Sequence, residues 1–205
     1  MNAAGFPLLS LLTFLPLAGV VVIMAIRGEA EVVAANARWT ALWTSLIVFA
    51  LSLILWVRFD PSNPGFQFVE QSAWLPAWGI TYKMGVDGIS VLFVLLSTLL
   101  TPICILASWE SIKVHVREYM IAFLVLETMM VGMFCALDFV VFYMFFEGVL
   151  IPMYLIIGVW GGPRRVYAAV KFFLYTLTGS VLMLLTLLAR WMHAGTTDIS
   201  VLMHT

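Results

Sequence analysis

Six apolar runs, each long enough to cross a lipid bilayer, constrain this chain more than any other feature. They fall at residues 6–26, 41–57, 89–108, 119–136, 139–159 and 167–191. A spanning helix needs about 17–25 such residues. In hydrocarbon, backbone N–H and C=O groups must find partners inside their own segment, so these runs must be helices. The expected fold is an all-α polytopic membrane protein with six transmembrane helices, forming one membrane domain over residues 1–205. Composition agrees: 63% of residues are hydrophobic, only 10% are charged, and the mean hydropathy is +1.08. A soluble domain carries about 25% charged residues. The net charge of −1 gives no electrostatic footprint for nucleic acid. The lipid bilayer is the partner that composition implies.

No Lys or Arg precedes the first run, and it exceeds the ~7–15 residue core of a signal peptide, so it reads as a membrane span. The longest connection, residues 58–88, carries Asp60, Pro61, Asn63, Pro64, Gly65, Pro76 and Gly79, which argue against a continuing helix. It also carries Phe66, Phe68, Trp74, Leu75 and Trp78, so it is expected to lie along the membrane surface. The fourth and fifth runs are joined at Leu137-Asp138, which predicts a tight antiparallel helical hairpin. Gly158, Gly161, Gly162 and Pro163 end the fifth run. The polar stretch after Trp191, with His193, Thr196, Thr197, Asp198 and His204, reads as the start of an outer loop. With the N-terminus outside, one side holds Arg27, Arg38, Lys113, Arg117, Arg164 and Arg165, and the other Arg58, Lys83 and Arg190. Basic residues favour the cytoplasmic side, so the N-terminus is expected on the outer side.

Three ionisable side chains lie within the runs: Glu127, Glu147 and Lys171. At the helical rise of ~1.5 Å per residue, Glu127 lies roughly 13 Å in from Glu118, Glu147 roughly 13 Å in from Asp138 on the opposite side, and Lys171 roughly 9 Å in from Arg165. An ionised carboxylate at such depth costs at least ~2.5 kcal/mol, which makes it a functional-site candidate. A Glu–Lys pair with adjustable spacing takes up and releases a proton, because the nearby ammonium favours the anion and desolvation favours the acid. The competing reading is a static buried pair that fixes helix packing. Lys171 can also snorkel to the interface, and Glu127 can simply pair with Lys171 or an arginine. Pro152 cannot donate to the Gly148 carbonyl, leaving that acceptor free beside Glu147.

The remaining polar groups are read as structural. Cys104 and Cys135 are expected as small buried hydrophobes. His115, His193 and His204 have no partners at metal-ligand spacing, so no metal site is expected. Met129, Met130, Met133, Met144 and Met153 read as packing residues. The sequence holds no glycine-rich phosphate loop, no Ser/His/Asp arrangement and no cysteine set for an iron–sulfur cluster. No redox cofactor is therefore expected in this chain.

The stretch from Ala136 to Gly162, with Phe142-Tyr143-Met144-Phe145-Phe146-Glu147-Gly148-Val149-Leu150-Ile151-Pro152 at its centre, is followed by Lys171-Phe172-Phe173-Leu174-Tyr175. Together with Gly85-Val86-Asp87-Gly88-Ile89-Ser90, it resembles the M-subunit family of bacterial NADH:quinone oxidoreductase (respiratory complex I), whose mitochondrial counterpart is NADH dehydrogenase subunit 4. The resemblance implies an antiporter-like fold of two inverted helical repeats, of which this chain holds the N-terminal part and lacks the second repeat. It implies proton translocation, with Glu147 as the key residue and a lysine partner on a seventh span. Lys171 and Glu127 then become secondary relay candidates. It places flavin, iron–sulfur clusters, NADH and quinone in partner subunits, and makes other membrane-arm subunits, including sister antiporter-like ones, the partners. The implied location is the bacterial inner membrane, with the chain acting as a subunit of the enzyme. Related multi-subunit cation/proton antiporters share the glutamate helix and give the alternative function. The chain is expected to be a fragment of a longer one.

Overall fold

The computed structural model describes residues 7–75 and 79–202. The expectations for Phe6, Pro76, Trp78 and His204 lie outside these residues. Six helices among the described residues are long and apolar enough to span a bilayer. They are α1 (Leu8–Ala25), α2 (Ala30–Arg58), α3 (Gly88–Ala107), α4 (Val116–Cys135), α5 (Phe139–Trp160) and α6 (Arg165–Ala194), with a short α7 (Ile199–Leu202) after them.

α2 begins at Ala30 rather than at Ala41, where its apolar run starts. Residues 30–37 are rich in alanine and contain Glu31, and these helix-forming residues extend the helix beyond the run. Arg38 thus lies inside α2. Its guanidinium donates to the Ile112 carbonyl at 2.8 Å and lies 5.9 Å from the centre of the Trp109 ring.

The connection between α2 and α3 forms an antiparallel hairpin of β1 (Gln67–Leu75) and β2 (Ile80–Val86). The register pairs Glu70 with Met84, Gln71 with Lys83 and Ser72 with Tyr82. A register shift between Gln67 and Glu70 leaves Phe68 at φ 54°, a strained conformation for a bulky residue. Burial of its ring in the core offsets that strain.

The hairpin closes one end of the helical bundle. α1 starts after Pro7, which offers no side-chain cap. Glu70 of β1 replaces it: its carboxylate accepts from Leu9 N at 2.7 Å, Ser10 N at 3.0 Å and Ser10 Oγ at 2.5 Å. The first N–H groups of a helix lack intrahelical partners, and an anion there also meets the positive end of the helix dipole.

The apolar core is divided in two. One cluster, towards the hairpin, joins Leu8, Leu9 and Leu12 of α1 to Val131 and Cys135 of α4. The other, towards the opposite end, joins Val20 and Ile23 to Tyr119, Met120 and Leu124. Between these levels lie buried polar residues: Thr13 on α1, Ser45 on α2, Thr98 and Thr101 on α3, and Glu127 and Thr128 on α4. Polar groups therefore cross the middle of the bundle as a belt.

Candidate functional site

α4 and α5 form the expected tight helical hairpin, and two glycines set its spacing. A Cβ at Gly132 would lie 2.5 Å from the Phe145 ring, and one at Gly148 would lie 2.6 Å from Met129 Sδ. The second contact fixes the relative depth of the two carboxylates. Glu127 precedes Met129 by two residues and Glu147 precedes Gly148 by one, so on antiparallel helices they lie within roughly 5 Å of each other along the axis. Their surroundings differ. Glu127 is 1% exposed, and neither carboxylate oxygen has a hydrogen-bond partner in the protein. Glu147 is half-buried, and its Oε1 is shielded and unpartnered.

Two hydroxyls that sequence reasoning passed over accompany Glu147. Tyr143, one turn earlier on α5, interacts with both Glu147 and Ser180 of α6. Residues four apart share a helix face, which is the signal that identifies Tyr143. Ser180 carries no such signal, because only the packing of α6 on α5 brings it there. Pro152 lies inside α5, and its missing N–H leaves the Gly148 carbonyl free next to Glu147.

Lys171 is not brought to either carboxylate. A Cβ at Gly158 of α5 would lie 3.5 Å from Ala169 of α6. Counting from that contact, Lys171 lies roughly 13 Å nearer the α5–α6 turn than Glu147 does. Its Nζ is 5.8 Å from the centre of the Tyr167 ring, and the side chain lines an open groove of about 940 Å³ with Arg164 and Arg165. The ion pairs among the described residues are Lys83–Asp198 and His115–Glu118.

Asp138, at the tip of the α4–α5 turn, holds α5 at the hairpin end. It is fully buried and caps α5 by accepting from Val140 N at 2.8 Å. Its other oxygen accepts from Thr197 Oγ1 at 2.5 Å and from Thr81 N at 3.3 Å. The stretch after α6 therefore packs against the hairpin, at the end of the bundle where α1 begins. Backbone bonds continue the junction: Leu137 N donates to Lys83 O, Phe139 N to Thr197 O, and Ile199 N to Leu137 O, each at 2.9 Å. Lys83 Nζ then donates to Asp198 at 2.5 Å and to Ser200 Oγ at 2.8 Å. Burial works against ionisation of Asp198, yet the hydrogen bonds from Lys83 and Ser200 outweigh it and hold this carboxyl below its ordinary range.

Comparison with known proteins agrees with this architecture. Residues 22–137 match the family described as NADH-ubiquinone oxidoreductase chain 4, amino terminus, and residues 136–205 match the membrane region of the NADH:quinone oxidoreductase/Mrp antiporter family. NADH-quinone oxidoreductase subunit M of Rhodobacter capsulatus is 56% identical over 96% of this chain, which covers 38% of that protein. NADH-ubiquinone oxidoreductase chain 4 of Marchantia polymorpha is 48% identical over 96% of this chain and 39% of its own length. The chain thus spans less than half the length of the relatives it matches. A chain of respiratory complex I from Thermus thermophilus superposes with a TM-score of 0.79 at 29% identity, over 95% of this chain and 38% of that one. A chain of the Mrp complex from Dietzia shares the fold alone, with a TM-score of 0.76 at 18% identity over 94% of this chain and 20% of its own. The spanning helices, the closing hairpin and these matches place the chain in the family of NADH:quinone oxidoreductase subunit M, equivalent to NADH-ubiquinone oxidoreductase chain 4.

Proposed function

We propose that this chain forms part of a proton-translocating membrane-arm subunit of an NADH:quinone oxidoreductase, with Glu147 as its principal proton carrier. The observation that carries this reading is the position of Glu147. It is a half-buried carboxylate in the middle of a spanning helix, with one shielded oxygen unpartnered, a phenol one turn away and a freed carbonyl beside it. An approaching cation favours the anion of a carboxyl group, and its retreat favours the acid. Glu127, at nearly the same depth, and Lys171, nearer the α5–α6 turn, are secondary members of the relay. No cation pairs with Glu147 among the described residues, in keeping with a lysine partner on a later span.

In this reading, NADH oxidation and quinone reduction occur in partner subunits that carry the flavin and iron–sulfur clusters. The chain packs beside other membrane-arm subunits, including sister antiporter-like ones, in the bacterial inner membrane. The hairpin end and the N-terminus face outwards, as the distribution of basic residues suggests.

Glu147→Gln, introduced into the full-length subunit of the assembled complex, tests this. The amide keeps the size and hydrogen bonding but cannot titrate. NADH-driven proton uptake in membrane vesicles is expected to fall by about 100-fold or more; unchanged pumping would sink the relay. Co-purification separates the respiratory function from that of a cation/proton antiporter subunit: flavin and iron–sulfur partners support the former, and their absence supports the latter.

A further inference from the structure

The hydroxyls buried in the membrane helices follow one rule with two exceptions. Ser45, Ser52, Ser97, Thr98, Thr101 and Ser180 each donate to a carbonyl three or four residues earlier in their own helix. This back-bonding is the usual way a hydroxyl satisfies itself inside a helix. Thr13 and Thr128 are both fully buried, and their Oγ1 atoms have no hydrogen-bond partner in the protein. Both sit in the polar belt with Glu127, whose two oxygens are also unpartnered.

The packing brings these residues to one level. On α1, Thr13 lies between Leu12 of one apolar cluster and Val20 of the other; on α4, Glu127 and Thr128 lie between Leu124 and Val131, which belong to the same two clusters. The Phe145 ring gives an independent marker. It lies 6.3 Å from the ring of Phe14, the neighbour of Thr13, and against Gly132, one turn beyond Thr128. Pro16, also buried, removes the N–H that would bond to the Leu12 carbonyl, so one more acceptor is left at this level of α1.

Four buried oxygen atoms without a partner in the protein destabilise the fold unless something satisfies them. No cationic side chain lies in the belt, whose charged residue is Glu127 alone. We propose that Thr13, Glu127 and Thr128 form an internal water site between α1 and α4, in which Glu127 is protonated and its O–H donates a hydrogen bond to a water held by the two threonine hydroxyls. The chemistry fits. A protonated carboxyl supplies one O–H and one acceptor, each hydroxyl supplies a donor and acceptors, and a buried water makes about three hydrogen bonds. The site lies on the bundle side of α4, whereas Glu147 lies on α5 beside α6. Its existence does not depend on Glu147 acting as a proton carrier. Only its use as a proton store rests on the proposed relay.

Infrared difference spectroscopy on the assembled complex tests the proposal, with stability of the subunit as a second readout. Protonated Glu127 gives a carboxylic C=O stretching band that disappears in Glu127→Gln. If the wild-type complex has no band that this substitution removes, Glu127 is not a protonated acid and the proposal fails. In the near-isosteric double variant Thr13→Val/Thr128→Val, loss of the water shifts the band upwards towards that of a free acid and lowers thermal stability. A band that stays in place, with stability raised because unpaired hydroxyls have been removed, overturns the water site. These outcomes are distinct from the Glu147→Gln pumping result, because the band reports Glu127 whether or not the subunit pumps.

Discussion

The bundle of α1–α4 and the α5–α6 pair treat their surfaces in opposite ways. In α1 and α4, 44% and 50% of the most apolar stretch is buried within the protein; in α6 the share is 6%. Tyr175, Leu182 and Met192 of α6 are 85%, 61% and 74% exposed. In water such a face would be a liability, but lipid tails are as apolar as leucine and exposing it to them costs little. The bundle instead buries what lipid cannot tolerate: a belt of hydroxyls and the carboxylate of Glu127. The two carboxylates divide along the same line. Glu127 is sealed inside the bundle, while Glu147, at nearly the same depth, is half-buried. The bundle thus buries its polar groups among apolar side chains, whereas α6 leaves most of its apolar face uncovered by the described residues.

The strongest effects are expected at the two glycines where the bundle meets the α5–α6 pair, Gly132 of α4 and Gly148 of α5. Gly132→Leu drives a side chain into the Phe145 ring and is expected to destabilise the α4–α5 packing by about 3 kcal/mol or more, read as a loss of assembled subunit in detergent extracts. Normal assembly would mean that this contact is not tight. Gly148→Ala meets only the flexible end of Met129, so its cost should be well below that of Gly132→Leu in the same assay.

At the hairpin end, Asp138→Ala removes the α5 cap and leaves the Val140 and Thr81 N–H groups without their acceptor. A loss of about 2–3 kcal/mol is expected, since a buried donor deprived of its partner costs about 1–3 kcal/mol. Faster protease cleavage in the β1–β2 hairpin would report it, and unchanged cleavage would mean that the junction does not rely on Asp138. The Lys83–Asp198 clasp should respond more weakly. Asp198 ionises more readily in the fold than in an unfolded chain, so its contribution is fully present above the ordinary aspartate value of about 3.9 and is lost as pH falls through the lowered value. Distances between spin labels at exposed positions 72 and 201 should therefore stay constant from pH 7 to pH 5. In Asp198→Asn they should broaden already at pH 7, with a loss of about 1–2 kcal/mol. Broadening of the wild-type distances in that range would assign the clasp to another group.

The smallest effect has the opposite sign. A Cβ at Gly179 of α6 meets nothing within 4 Å. Gly179→Ala should raise thermal stability by up to about 1 kcal/mol through helix propensity alone; a clear destabilisation would show that this face of α6 is in close contact in the complete subunit.

Much of this organisation is legible in the sequence because the bilayer imposes a single length and a single polarity on each span. The six runs, the tight turn at Leu137-Asp138 and the depths of Glu127 and Glu147 all follow from counting residues against that thickness. Counting failed where another force takes over. α2 starts early because alanine and glutamate continue a helix after hydrophobicity ends. The hairpin escaped notice because Glu70-Gln71-Ser72-Ala73 shows little apolar alternation. Its strands are held by pairing and by the Glu70 cap on α1, a contact between residues about sixty positions apart. The Glu147–Lys171 pairing suggested by similar depths depends on helix register, and the register in which Gly158 faces Ala169 keeps the two side chains apart.

The sequence by itself determined that the chain is a membrane-spanning helical protein with costly carboxylates at mid-depth, because hydrophobic length and the burial of charge are local properties of each segment. Tertiary structure decided which carboxylate is sealed and which is accessible, which hydroxyls surround each, and what fastens α5 to the hairpin. Those outcomes depend on which helix faces meet, and close packing such as that at Gly132 and Gly148 fixes it.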